Sequence, residues 1–354
     1  MSKPLPPFTC TYNAGTPELL HALGCTIAIS TYQADKLIFI SAPTSSKLMQ
    51  LPRNFRNAMG VAVKDDRLAV ATRDEVVVLA NSTSMAPNYP KKPNTYDALY
   101  LPRATYHTGP LDIHDMEWVD GRLIVVNTLF SCLSVVSEDY SFSPLWRPHF
   151  ISSYEPTDRC HLNSMATENG APKYVSALGH TDSAEGWRAH KASGGVIIDV
   201  ESNEIIARNL PMPHSLRIYD QVLYALFSAT GELAKIDTQS GSFEIIKKLD
   251  GFVRGMDRYG DYLFIGLSKL RKNNTTFSDL SISKKSNFSG VVIIHMPTAS
   301  IVGHIKYENS VEEIYDVKIL PGCSRPGILN TEGEDLKTAI TSPIGDFWAL
   351  KKEQ

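Results

Sequence analysis

Residues 212–272 hold two consecutive copies of one pattern, and a repeat of that length is what most constrains the fold of this chain. The first copy opens at Met212-Pro213-His214-Ser215 and alternates polar and apolar residues to Ile218. It turns at Asp220-Gln221 and continues as Val222-Leu223-Tyr224-Ala225-Leu226. A turn at Thr230-Gly231-Glu232 leads into Leu233-Ala234-Lys235-Ile236, and Ser240-Gly241 precedes Ser242-Phe243-Glu244-Ile245-Ile246. Four short β-rich runs separated by turn residues specify one blade of a β-propeller. The second copy starts at Gly251-Phe252-Val253-Arg254-Gly255, turns at Gly260-Asp261 and runs on through Tyr262-Leu263-Phe264-Ile265-Gly266-Leu267.

Carried along the chain, this spacing predicts an all-β, six-bladed propeller over residues 25–330, preceded by an irregular arm (1–24) with one helical turn at 17–22 and followed by a tail or surface cover (331–354). Residues 25–51 supply three outer strands of a first blade, and new blades open near Met59, Asp112, His161, Met212 and Gly251. Segments 81–94, 179–194 and 269–289 are rich in polar and turn residues and read as loops inserted in blades. The strand expected at 312–319 has too little chain after it for a blade of its own. It therefore supplies the inner strand of the first blade, so that pairing of N- and C-terminal strands closes the ring and hides its edges.

Composition excludes several partners. The 354 residues carry a formal charge of -3, with 43% hydrophobic and 21% charged residues, so no basic field exists to attract nucleic acid. No apolar run is long enough to span a bilayer, and the first residues lack a basic-then-apolar leader pattern. The five cysteines, Cys10, Cys25, Cys132, Cys160 and Cys323, include no Cys-x-x-Cys pair and form an odd set. Free thiols in a reducing compartment are expected, hence a cytoplasmic protein without membrane or nucleic-acid partners.

The repeat also predicts a site. Counting back six residues from the first turn of successive blades lands on Met59, His114, Asn163, His214 and Arg254, and Glu313 takes the same place in the closing blade. Inner strands line the channel, so these six side chains should form a ring, with His161 one layer nearer the mouth. His114, His161, His214 and Glu313 then compose a ligand set for a divalent ion such as zinc, manganese or iron. Asp112 and Asp115 flank His114 and would orient its imidazole. His214, between Pro213 and Ser215, stands on stiffened backbone that suits a ligand or a base. Arg103, Arg147 and Arg188, with Asn163, are candidates to bind an anionic substrate through planar forks or an amide. Cys132 and Cys160 are candidate nucleophiles. The competing reading of the same histidines and arginines is structural, as hydrogen-bond partners between blades.

Several longer motifs carry a resemblance. Tyr96-Asp97-Ala98-Leu99-Tyr100-Leu101-Pro102-Arg103, Asn127-Thr128-Leu129-Phe130-Ser131-Cys132-Leu133, Asp158-Arg159-Cys160-His161-Leu162-Asn163, Met212-Pro213-His214-Ser215, Gly251-Phe252-Val253-Arg254-Gly255, Gly266-Leu267-Ser268 and Val311-Glu312-Glu313-Ile314-Tyr315-Asp316-Val317 are similar to those of an uncharacterised bacterial family known only as a domain of unknown function. The resemblance implies a propeller-like fold and carries no activity. His180 stands where that family does not use histidine and is left out of the ligand set.

The function expected from these residues is a metal-dependent lyase, hydrolase or isomerase acting on a small polar or anionic molecule at the channel mouth. His214, Glu313 and Arg254 would be its catalytic groups: a histidine or Glu313 moving the proton and Arg254 holding the anion. The alternatives are a non-catalytic scaffold that binds a protein partner on a propeller face, and an iron-dependent oxygenase using the same histidines.

Overall fold

A computed structural model describes residues 4–270, 277, 280–285 and 288–349. Six small, mainly antiparallel sheets stand in a ring, and all but the first open with the strand nearest the axis. Each sheet is packed between two others, so its central strands are buried on both faces and read as continuous apolar runs rather than alternating ones, as in Cys25–Thr31 and Arg122–Asn127. This is a six-bladed β-propeller, as the spacing predicts.

Blade 1 contains Cys25–Thr31, Lys36–Thr44 and Lys47–Asn54, and its inner strand is Asp316–Pro321 from the other end of the chain. Ile27 faces Ile319 and Ser30 faces Asp316 across that closure. The inner strands of blades 2 to 6 are Val61–Lys64, Ile113–Val119, Leu162–Glu168, Pro213–Tyr219 and Phe252–Tyr259. The closing strand begins at Asp316, so Glu313 lies in the segment leading into it rather than on it.

Both termini also cover blade edges. Residues 1–24, expected as an irregular arm, include Cys10–Tyr12, which adds a fifth strand to blade 6 with Cys10 opposite Tyr307. They also include a helix, Gly15–Leu23, which ends at Gly24 in the left-handed conformation and buries Leu20. Pro326–Ile328 runs parallel to the outer strand of blade 2. Beyond it a hairpin, Ala339–Ser342 with Gly345–Trp348, packs on the 82–96 loop, burying Met85, Tyr89, Tyr96 and Leu329.

The inner strands of blades 3 to 6 share a device that periodicity does not reveal. Each is interrupted by a β-bulge at one level of the channel. His114 and Asp115 stand against Val126, and Asn163 is the extra residue in blade 4. Ser215 and Leu216 stand against Ala225, and Arg254 and Gly255 against Gly266. A bulge breaks strict alternation and turns neighbouring side chains to different tasks. At this level His114 and Arg254 face the cavity, and neighbouring polar groups tie each blade to the next. Asp115 accepts the Met165 N–H at 3.1 Å, Ser164 Oγ that of Leu216 at 2.9 Å, and Ser215 Oγ that of Gly255 at 2.9 Å. Asp257 takes the Ile319 N–H at 2.8 Å and Asp316 that of Val61 at 3.0 Å, which carries the stapling across the closure.

Candidate functional site

Where the inner strands begin, the channel widens into a cavity of about 610 Å³. Its walls differ in chemistry. Leu178, Phe252, Leu270 and Phe277 make an apolar side, with the Phe252 and Phe277 rings 5.6 Å apart. Gln33, Asn57, Asp112, Lys269 and Glu313 make the polar side, and His114, His161, His214, Arg254 and Tyr315 line the space between.

The three imidazoles share an orientation rule. His114 Nδ1 is 2.9 Å from the Asp112 carbonyl oxygen, His161 Nδ1 2.8 Å from Asp158 Oδ2, and His214 Nδ1 2.9 Å from the Met212 carbonyl oxygen. A carbonyl or carboxylate oxygen only accepts, so each ring carries a proton on Nδ1, and Nε2 is the nitrogen left for other partners. Ser228 strengthens the third case, because its hydroxyl donates to the Val253 carbonyl oxygen and its oxygen is 2.9 Å from His214 Nδ1. Burial, then the adjacent His161 and Arg254 charges, hold His114 well below the ordinary histidine range. Burial and then Arg254 do the same for His214. Both are neutral at pH 7.

His161 is the one backed by a carboxylate. Asp158 Oδ2 also receives the Trp187 Nε1–H at 2.9 Å, and the indole lies over the imidazole with centroids 4.2 Å apart. The edge of the His161 ring meets His114, centroids 4.7 Å apart. Trp187, from the short helix Gly186–His190 in the 179–194 insertion, is buried, so this loop sets the ring plane.

Arg254 lies flat on Tyr315, its Cζ 3.4 Å from the ring centroid, and Glu313 Oε1 is 3.6 Å from Nη1. Only 12% of the Arg254 side chain is exposed, yet its guanidinium makes no hydrogen bond within 3.5 Å among the described residues. Burial also holds the Tyr315 phenol protonated, and its hydroxyl has no partner among the described residues.

The predicted ring is thus divided. His114, His161, His214, Arg254 and Glu313 line one cavity. Met59 is packed in the core between blades 2 and 3, and Asn163 borders a small void beneath the cavity floor. Among the described residues no three His, Cys, Asp or Glu side chains are gathered as a group that would hold a metal ion. Of the two aspartates beside His114, the backbone of Asp112 orients the ring. Asp115 turns to the layer below, where it forms a paired contact with Arg217 at 2.8 and 3.2 Å.

Arg103, Arg147 and Arg188 do not reach the cavity. Arg103 borders a surface cleft with Asp346, Arg147 stacks on Tyr154 at 4.9 Å, and Arg188 pairs with Glu185 at 2.7 Å. Cys132 and Cys160 are buried, and burial pushes their thiols up to about 11 and about 12, which leaves no thiolate for attack. Sequence reasoning missed Asp158, Tyr315, Phe252 and Phe277. The first three stood inside quoted motifs, and a search for a group three residues from His161 would have found Asp158.

Fold and site together define a six-bladed propeller with a histidine-lined, half-apolar cavity at one mouth of its channel. The chain belongs to the family described as a domain of unknown function, DUF4915, which matches residues 14–329. No curated protein matches it. Among solved structures it is similar to a chain of the nidogen/laminin complex, at TM-score 0.54 and 10% identity, over 84% of this chain and 99% of that one. It is also similar to a protein of unknown function from Bacteroides caccae, at TM-score 0.51 and 9% identity, over 84% and 98%. At these identities the likeness is one of fold alone.

Proposed function

We propose that this propeller is an enzyme that binds a small anionic molecule at Arg254 and moves a proton on it with His161. The observation that carries the reading is the Arg254 guanidinium, largely withdrawn from water and without a hydrogen-bond acceptor among the described residues. A desolvated guanidinium gains most from a planar, bidentate oxyanion, and a carboxylate fits that fork. Of the three imidazoles, only His161 has an anion behind it, and Asp158 stabilises the imidazolium that forms when Nε2 takes a proton. Proton removal from the carbon next to the bound carboxylate then leads to one of two outcomes. The proton returns to that carbon or a neighbouring one in an isomerase; in a lyase it leaves with a β-substituent as a C=C bond forms.

The Nδ1 acceptors favour a second reading. Imidazoles that donate from Nδ1 present Nε2 as a ligand atom, so His114, His161, His214 and Glu313 would hold a divalent zinc, manganese or iron ion once the rings draw together. The unpaired cysteines, Cys10, Cys25, Cys132, Cys160 and Cys323, support a reducing, cytoplasmic setting for either chemistry. No described helix is long and apolar enough to cross a membrane.

One experiment tests the anion reading and, in parallel, the metal. Thermal unfolding is followed with a panel of carboxylates for wild type and Arg254→Gln, with elemental analysis of protein purified without a metal column. The expected result is a carboxylate-dependent rise in the wild-type midpoint that Arg254→Gln loses. A wild type indifferent to every carboxylate, or a variant that responds equally, overturns the proposal. A stoichiometric ion would move the chemistry to the second reading.

A further inference from the structure

The two walls of the cavity specify more than an anion. A small polar acid would leave most of about 610 Å³ unfilled, since cavities of that size suit ligands of many more heavy atoms. It would also leave the apolar side, where Leu270 and Phe277 are only partly buried, uncovered. These residues continue into an apolar cluster with Trp187, Met212, Ala229, Leu280 and Ile282, which backs the wall. It is built from blade 4, from the inner strand of blade 6 and from the insertion that follows Ser268. The offset Phe252–Phe277 pair, its planes inclined by 35°, presents the kind of surface on which a third ring stacks. Arg254, next to Phe252 in blade 6 but re-aimed by its bulge, sets the anion site beside that surface.

Resting on the anion reading above, we propose that the ligand is an amphipathic monocarboxylate: its carboxylate on Arg254, and an aromatic or branched apolar body on the wall of Leu178, Phe252 and Phe277. This narrows the small polar or anionic substrate expected from the residues alone to an anion with an apolar body. A second charge on the part of the ligand that lies against that wall would be desolvated by it, which disfavours dicarboxylates there. His161, which lines the same cavity, is then the base for the carbon atoms that join carboxylate to body.

The test is a binding series by calorimetry on the full chain with 3-phenylpropanoate, acetate, succinate and the uncharged 3-phenylpropanol. Burying one ring of the ligand should make 3-phenylpropanoate bind at least tenfold more tightly than acetate or succinate, and the charge should place it at least tenfold above the alcohol. Phe277→Ser should bring 3-phenylpropanoate down toward acetate while Arg254 still requires the charge. Should that variant fail to fold, the wild-type ranking decides alone. Succinate or acetate binding as tightly as 3-phenylpropanoate overturns the amphipathic ligand and leaves the anion reading standing. If no carboxylate binds at all, both fall.

Discussion

His214 shows how one residue can be legible in position while the contacts that hold it are not. Its register in the repeat places it on the channel, and it lines the cavity. The rigid setting expected of it comes less from Pro213 than from its own Nδ1–H, which meets the Met212 carbonyl and Ser228, a residue that also bonds Val253 in the next blade. With His114 it is held neutral in the folded state, whereas an unfolded histidine takes a proton near pH 6.5. Acid therefore favours the unfolded chain. The stability that depends on these two rings is fully present above about pH 6.5 and is lost as pH falls below it, by at most about 1.4 kcal/mol per pH unit for each. Urea unfolding at pH 7.5 and pH 5.5 should show a shallower pH dependence for His214→Gln than for wild type. Asp316, whose buried carboxyl is pushed up to about 6 and acts with the opposite sign, is common to both proteins and cancels from the difference. Equal slopes would remove His214 from the account. Asp158 and Tyr315 escaped prediction for a physical reason: one acts through a turn before its strand and the other through a stacked guanidinium, and neither contact has a sequence period.

At the scale of the strand, register was readable and the bulges were not. Alternation places the channel face correctly only up to the first extra residue. Beyond it Asp115, expected beside His114, faces Arg217 instead. The bulge of blade 6 explains two glycines of the quoted motifs. Gly255 has φ +79, and a Cβ there would lie 2.7 Å from the Val317 nitrogen of the closing strand. A Cβ on Gly266, opposite it, would meet the Arg254 carbonyl oxygen at 2.4 Å. Gly255→Ala therefore combines left-handed strain with a clash against backbone that cannot yield as a side chain would. A loss of roughly 2 to 4 kcal/mol is expected in chemical denaturation. Because Arg254 is the other half of the bulge, carboxylate binding should weaken as well. A variant of wild-type stability would mean that blades 6 and 1 approach less closely than described.

The whole molecule is closed by its ends, and the two pieces of C-terminal chain do different work. Asp316–Pro321 completes blade 1 and takes part in the staple to blade 6 through Ile319 and in the staple to blade 2 through Asp316. Asp316 also lies 3.9 Å from Arg217, in the buried charge layer below the cavity. The later hairpin covers the loop of blade 2, through Ala339 and Trp348 against Tyr89 and Tyr96 and through Asp346 against Ser82 and Ser84. Every described residue that lines the cavity precedes Asp316. The two roles predict different responses to truncation. A chain ending at Asn330 keeps the ring and should remain folded, with a lowered thermal midpoint from the exposed Tyr89 and Tyr96 cluster and with carboxylate binding intact. A chain ending at Glu312 loses the inner strand of blade 1, strands the edge of Cys25–Thr31, and leaves Arg217 with one carboxylate fewer in a layer where an unmatched charge costs several kcal/mol. It should show no cooperative unfolding transition and should be cut rapidly by protease, since a ring with one blade open exposes the inner edges of its neighbours. A stable, cooperatively folding chain ending at Glu312 would mean that the closure is an addition to the fold rather than the condition for it.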